Sequence, residues 1–339
     1  MNQNRTTRAH LASLTREWEE AARLDTDHYP YCGVLDEILF HADLRFSDYI
    51  QYREEGEFPV RLRNWLGNVP RKREKQILFQ LLPFLLFVDR WQLQSLHRDA
   101  YRRIIVPWVC NGQLTSDDIL SSEYEILVRS RLKRYLLLSI TESFSFPDFL
   151  HVNNLSGLPK PRILGEDKIQ VKGLVQVPAG AAEGLIIFED FVGTGKQARG
   201  VLREIRRYAA SDKRILFVPL IMLESGLKRL LPVGERTNIE INPVMVITNK
   251  ACLQKDPFLG ELDEFKYLRA LVKVTAGRVL RSLGPLDDPP VNAFGYGDSG
   301  ALLVTCHNAP NNTLPLIHHR APNWNPLFRR VHHSKDGLR

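Results

Sequence analysis

Over the first 140 residues, apolar positions recur with helical spacing. Ala9 to Leu24 and Asp36 to Tyr52 read as two amphipathic helices, apolar on one face and charged on the other. Arg73 to Arg90 carries a dense apolar run from Ile77 to Val88, interrupted by Gln80 and Pro83. Asp99 to Val109 is a further helical stretch, rich in Arg and Tyr. Thr115-Ser116-Asp117-Asp118 then opens a helix predicted to run to about Leu138. Small polar residues there cap free amides, and the aspartates suit the positive helix end. No strand alternation is read in this half. Basic clusters at Arg71–Lys75 and Arg129–Arg134 suit either a helix-turn-helix-like module or solvated helix faces.

Near Phe144 the pattern changes. Leu185 to Phe188 is short and wholly apolar, as expected of a strand covered on both faces of a parallel sheet. Helical spacing follows from Gly195 to Ala210, through Ala198, Val201, Leu202 and Ile205. Arg214 to Met222 and Ile239 to Ile247 read as two more strands, and Glu264 to Leu283 as a long helix ended by Pro285, Pro289 and Pro290. Strand, helix and strand in that order predict an α/β fold: a helical N-terminal domain followed by a doubly wound, mainly parallel sheet. A Gly/Asn/Pro-rich segment closes the chain.

The length of 339 residues suits two domains, placed at 1–140 and 141–339. With 44% hydrophobic and 25% charged residues the chain has globular usage, which excludes a disordered chain, a collagen-like fibre and a rod. Cys32, Cys110, Cys252 and Cys306 form no CxxC pair, so a local zinc site or redox dithiol is not expected, and the expected compartment is a reducing cytoplasm. The first twenty residues lack the apolar core of a signal peptide, and the Ile77–Val88 run is too short to span a bilayer, which takes about 20 apolar residues. No membrane partner is expected. Of the net charge of +7, residues 317–339 hold +4, with Arg320, Arg329, Arg330, Lys335 and Arg339 against Asp336. His318, His319, His332 and His333 lie there too. This reads as a solvated basic tail able to attract phosphates.

The stretch that carries chemistry is Leu185 to Gln197, L-I-I-F-E-D-F-V-G-T-G-K-Q. Two acids close a buried strand, and a glycine-bearing loop leads into a helix. In an open α/β sheet, ligands sit beyond the carboxyl ends of the strands. Amides of Gly193, Thr194, Gly195, Lys196 and Gln197 are placed to hold an anion at the helix start, with the Thr194 hydroxyl and the Lys196 charge in support. Glu189 and Asp190 suit the vicinal hydroxyls of a sugar. Together they fit a ribose 5-phosphate. A Walker A loop is excluded, because Asp190 stands where its first glycine belongs and Gln197 follows the lysine. A dinucleotide fingerprint ranks second, with Gly193, Gly195 and Ala198 in register but an acid pair on the strand. Neither H-x-E nor C-x-x-C occurs, against a zinc deaminase. No metal site is assigned.

The run Ile186–Gln197 resembles the 5-phosphoribosyl-1-pyrophosphate motif of type I phosphoribosyltransferases: apolar residues, two acids, three variable residues, then Thr-Gly. That motif ordinarily closes with Thr or Ser where this chain has Gln197. More narrowly, E-D-F-V-G-T-G-K-Q-A is similar to phosphoribosyltransferase-like proteins of bacterial conflict systems, some of them retron-associated, in which the core follows a helical half and ends in an Asn-rich segment. Here that segment is Asn308-Ala-Pro-Asn311-Asn312-Thr313.

The resemblance implies that Glu189 and Asp190 contact ribose hydroxyls and that Gly193 to Gln197 hold the 5-phosphate. Ser143 and Asn154, with Glu142, flank the region where the family binds pyrophosphate, and Asn308, Asn311 and Asn312 are either ligand contacts or Asx-turn formers. It implies phosphoribosyl pyrophosphate or a nucleotide as ligand, Mg²⁺ brought with the pyrophosphate, and the role of a toxic effector in an antiphage system such as a retron. The alternative is a nucleotide sensor without turnover, or a scaffold for nucleic acid or a reverse transcriptase complex, with an oligomer possible. The acceptor and the catalytic residues are left open.

Overall fold

The computed structural model describes residues 2–22, 29–49, 56–111, 114–164, 172, 182–257, 259–280 and 292–330. Contacts between residues divide the chain into two compact units, one of Met1–Arg90 with Lys250–Arg339 and one of Trp91–Asn249. This division follows packing in space, whereas the boundary near residue 140 marks a change of pattern along the chain.

The first unit is mainly helical, with helices Asn2–Ala22, Tyr31–Leu44, Phe58–Leu66, Lys72–Gln80 and Asp263–Leu280. Its two short strands, β1 (Leu86–Val88) and the strand Leu303–Thr305, pair in parallel with Leu86 opposite Leu303. Phe328 is surrounded by the rings of Phe46, Tyr49, Phe58 and Phe87, with centroids 5.4 to 5.9 Å away. The indoles of Trp65 and Trp324 both donate to the carbonyl of Leu316, at 2.7 and 2.9 Å. Residues 317–330 are therefore not a solvated tail. Ile317, Trp324, Leu327 and Phe328 are core, and the basic residues lie between them. His318 is buried, its Nε2 beside the Thr313 carbonyl at 3.1 Å. His332, His333, Lys335, Asp336 and Arg339, like the three prolines after Leu280, fall outside the described residues.

The second unit is built on a parallel sheet of β2 (Tyr135–Ser139), β3 (Arg162–Ile163), β4 (Gly184–Val192), β5 (Arg214–Leu223), β6 (Glu240–Ile241) and β7 (Met245–Ile247). The order is β3-β2-β4-β5-β6, with β7 also on β5. β6 and β7 follow one another along the same side of β5. Between them Asn242 N and Val244 N still donate to Phe217 O and Pro219 O, so the expected Ile239–Ile247 strand is one edge along β5, and Pro243 is tolerated there because the N–H it lacks would face away from β5.

Both faces of the sheet are covered. Leu185, Ile187, Ile215 and Phe217 pack under Ala198, Val201, Leu202 and Ile205 of the helix Lys196–Tyr208 and under Leu230 of the helix Glu224–Thr237. On the other face Phe188 stacks on Phe144 at 4.8 Å and meets Phe146 and Phe149. Two faces under helical cover make the sheet doubly wound, with the apolar runs Leu185–Phe188 and Ile215–Met222 of its central strands buried, as expected.

Three helical expectations give way. The α-helix of the Arg73–Arg90 stretch runs only through Gln80; Pro83 ends the helix ladder, and Leu86–Val88 at the end of its apolar run is the strand β1. Thr115 does cap a helix through a reciprocal box with Asp118, but Ser116–Leu120 and Tyr124–Leu132 are separate helices and Tyr135–Ser139 is a strand. An apolar run of that length suits a buried strand as well as a helix end, and the neighbouring β4 decides. Asp99–Val109 is not uniformly α-helical: Ala100–Ile105 forms a π turn, in which Val106 N donates to Tyr101 O, just before Pro107. The missing N–H of Pro107 leaves the regular ladder without a rung there.

Candidate functional site

β4 is longer than its apolar run. β2 stops at Ser139, opposite Phe188, while β4 goes on beside β5 to Val192. The acid pair thus lies where β4 loses its neighbour on one side and keeps it on the other. From β2 the chain passes to β3 on one side, and from β4 it passes to β5 on the other. The carboxyl ends of β2 and β4 therefore border the topological switch point, where open α/β sheets hold ligands.

The connection after β2 folds over the acids. Thr141 N donates to Glu189 Oε2 at 3.2 Å, and the Thr141 hydroxyl donates to Glu189 Oε1. Ser143 Oγ stands 3.2 Å from Glu189 Oε1 and 2.6 Å from Asp190 Oδ1. Asp190 also accepts from Phe191 N at 2.7 Å. Glu189 is 5% exposed, whereas Asp190 is half-buried. Burial, and then the charge of Asp190, push the Glu189 carboxyl well above its usual range, against the hydrogen bonds from Thr141 and Ser143.

The loop is fixed from behind. Gly193 and Gly195 are buried, Thr194 is half-buried, and Lys196 and Gln197 are exposed. Gly195 has φ +70° and is the N-cap of the helix Lys196–Tyr208, with no side chain to cap it. That left-handed conformation favours glycine. A Cβ there would also stand 3.1 Å from Gly226 O and 3.2 Å from Leu230 Cγ. A Cβ on Gly226 would in turn collide with Gly193 O. Three glycines let the loop lie directly on the next helix, and the N-cap of Lys196–Tyr208 is Gly195, which has no side chain; helix starts of this kind are where anions bind.

Of the other candidates, Ser143 joins the acids. Asn154 is exposed at φ +53°, just past the helix Phe146–Val152, where its part is to end a helix in the left-handed conformation. Asn308, Asn311 and Asn312 belong to the other unit. Asn308 Oδ1 accepts from Ala309 N at 2.9 Å, Asn311 O accepts from Tyr296 N at 2.9 Å, and buried Asn312 donates to Tyr296 O and Ser299 Oγ. Thr141 and Gly226 were not singled out from the sequence. Thr141 follows an apolar run read as helix, and a lone glycine within a helix carries no local signal.

Among the described residues no cluster of three or more His, Cys, Asp or Glu side chains could hold a metal ion. Glu189 and Asp190 offer two carboxylates, with Glu189 already hydrogen-bonded by Thr141. These side chains do not form a protein cage for a divalent cation. Among the described residues no helix is long and apolar enough to cross a membrane.

A parallel sheet that brings an acid-bearing strand and a glycine loop to its switch point defines a phosphoribosyltransferase-like protein. The model of the PRTase-CE family matches residues 62–330, and the chain belongs to that family. The match spans the whole of the central unit and reaches into both stretches of the other. A comparison with curated proteins finds no match.

Proposed function

We propose that the Glu189–Gln197 segment binds a ribose 5-phosphate compound, phosphoribosyl pyrophosphate or a nucleotide, and that the chain is the toxic effector of an antiphage system such as a retron, acting in the cytoplasm. The observation that carries the ligand is the adjacency at one switch point of an acid pair and a glycine-packed loop that opens a helix with Gly195 as its N-cap. The cellular role draws on the likeness of E-D-F-V-G-T-G-K-Q-A to conflict-system proteins.

In this reading Asp190, and Glu189 once deprotonated, accept from the ribose hydroxyls, while the loop amides hold the phosphate. The reaction is displacement at the anomeric carbon: the bond to pyrophosphate or base breaks, and one to a nitrogen nucleophile or water oxygen forms. Its oxocarbenium-like transition state needs alignment and charge stabilisation more than a protein nucleophile. Mg²⁺ would come with the diphosphate and keep most of its waters. Incubating the protein with phosphoribosyl pyrophosphate, nucleotides and Mg²⁺, with mass spectrometry of the small molecules, tests the activity. Release of pyrophosphate or free base is expected, and its absence overturns the enzymatic reading.

Gln197 favours a second reading, a sensor that binds without turnover, because the motif's usual hydroxyl is replaced by an amide. Calorimetric binding of ribose 5-phosphate with no product in the same incubation selects it.

A further inference from the structure

The helix that starts at the loop presents a row of cations. Lys196, Arg199 and Arg203 are all exposed. At about 100° per residue they fall within roughly 60° of arc, spaced about 4.5 and 6 Å along the axis. Among the described residues none of the three has an ion-pair or hydrogen-bonded side-chain partner. Arg207 continues the row but is paired with Glu204 at 3.0 Å. The apolar positions of this helix, Ala198, Val201, Leu202 and Ile205, are turned into the core. A lipid surface would need apolar residues on the exposed side, and there are none. Regularly spaced fixed cations match a polymer with regularly spaced anions better than a single phosphate.

We infer that the ligand is the 3′-terminal ribonucleotide of an RNA strand. This rests on the ribose-phosphate reading of the Glu189–Gln197 site. Two carboxylates that take vicinal hydroxyls require both to be free. Within a polynucleotide that holds only at the 3′ end of RNA, and the 2′-hydroxyl is what separates it from DNA. The 5′-phosphate of that last nucleotide is then a diester to the preceding one. A phosphate seated at the Gly193–Gln197 loop leads the upstream strand out past Lys196, and the next phosphates meet Arg199 and Arg203. The row carries no exposed aromatic residue, so it reads backbone charge and not sequence.

The test uses the full chain, a short labelled oligoribonucleotide ending in a free 2′,3′-diol, the same oligomer ending in 3′-phosphate or in a 2′-deoxynucleotide, polyglutamate, and free ribose 5-phosphate. The diol-ended RNA should bind at least tenfold tighter than each of the others. Arg199→Gln/Arg203→Gln should remove the advantage over free ribose 5-phosphate, make the salt dependence of RNA binding less steep by about 1.4 in log–log slope, and leave ribose 5-phosphate binding unchanged. If ribose 5-phosphate binds but diol-ended RNA binds no tighter, or the double variant changes nothing, the inference falls and the small-ligand reading stands. RNA binding that ignores the terminal group and Asp190→Asn, or is equalled by polyglutamate, also overturns it. If neither ribose 5-phosphate nor diol-ended RNA binds, both readings fall together.

Discussion

Gly226 rests against the carbonyl of Gly193 so closely that not even a methyl group fits between them. The contact ties the glycine loop after β4 to the helix after β5. Gly226→Ala must therefore move the loop or the helix. A loss of roughly 1–3 kcal/mol in stability is expected from forced overpacking. Denaturant unfolding measures it, and calorimetry with ribose 5-phosphate should show weakened binding in the folded fraction. Unchanged stability would mean that the loop has room to retreat. Gly195→Val would combine a positive φ with the Gly226 and Leu230 contacts, so its loss of function would report on folding as much as on phosphate. Substitution at Asp190 is the cleaner probe of binding.

Asp190→Asn keeps the shape of a half-buried side chain and removes its charge. The fold should persist, and ribose 5-phosphate should bind more weakly by about 1.5–3 kcal/mol, the worth of a hydrogen bond to a charged group. Equal affinities by calorimetry would take Asp190 out of the site.

The Glu189 carboxyl gives a pH signature. Its folded pKa lies above the unfolded value of about 4.3, so the unfolded chain ionises first. Its contribution to stability is full below the unfolded value and declines as pH rises toward the folded one. Ligand hydroxyls favour the ionised form, so affinity should rise over the same interval. Glu189→Gln should flatten both trends, while the phosphate's own ionisation remains in the binding curve. Thermal melts and titration calorimetry across that range check it; parallel curves for the two proteins would show that Glu189 ionises as freely folded as unfolded.

In the first unit, Arg269 and Glu261 form a two-point ion pair with side chains 8% and 3% exposed. Arg269 also donates to Gln254 O at 2.9 Å. Glu261→Ala strands a buried guanidinium and should cost about 3–5 kcal/mol. Replacing both partners with apolar residues of similar size should recover much of that loss, as chemical denaturation of single and double variants would show.

What the sequence made legible was the part written in adjacent residues. Leu185 to Gln197 spells out a buried strand, its acids, a glycine turn and a helix in one string, so the element and its chemistry were read together. β2 was hidden because Tyr135–Ser139 follows Arg134 with no Gly, Pro or Asn to mark the change, and three leucines suit a helix as well as a strand. Missing β2 also meant missing Thr141, since only the pairing with β4 brings it to Glu189. Charge misled at the other end. Arg320, Arg329 and Arg330 give this segment the composition of a solvated tail, while its core residues Ile317, Trp324, Leu327 and Phe328 follow no helical or strand period.

The parallel pairing of Leu86–Val88 with Leu303–Thr305 sets an order of events during synthesis. The ribosome releases the N-terminal helices long before the strand and the Phe328 ring that complete their unit. The central unit, Trp91–Asn249, is made in between and has all its strands when Ile247 emerges. Nascent chains therefore pass through a stage in which the sheet can be finished while Phe46, Phe58 and Phe87 still await Phe328. Chaperone occupancy should peak in that window, and a stop codon shortly after Lys250 should leave a stable sheet attached to N-terminal helices that proteases remove.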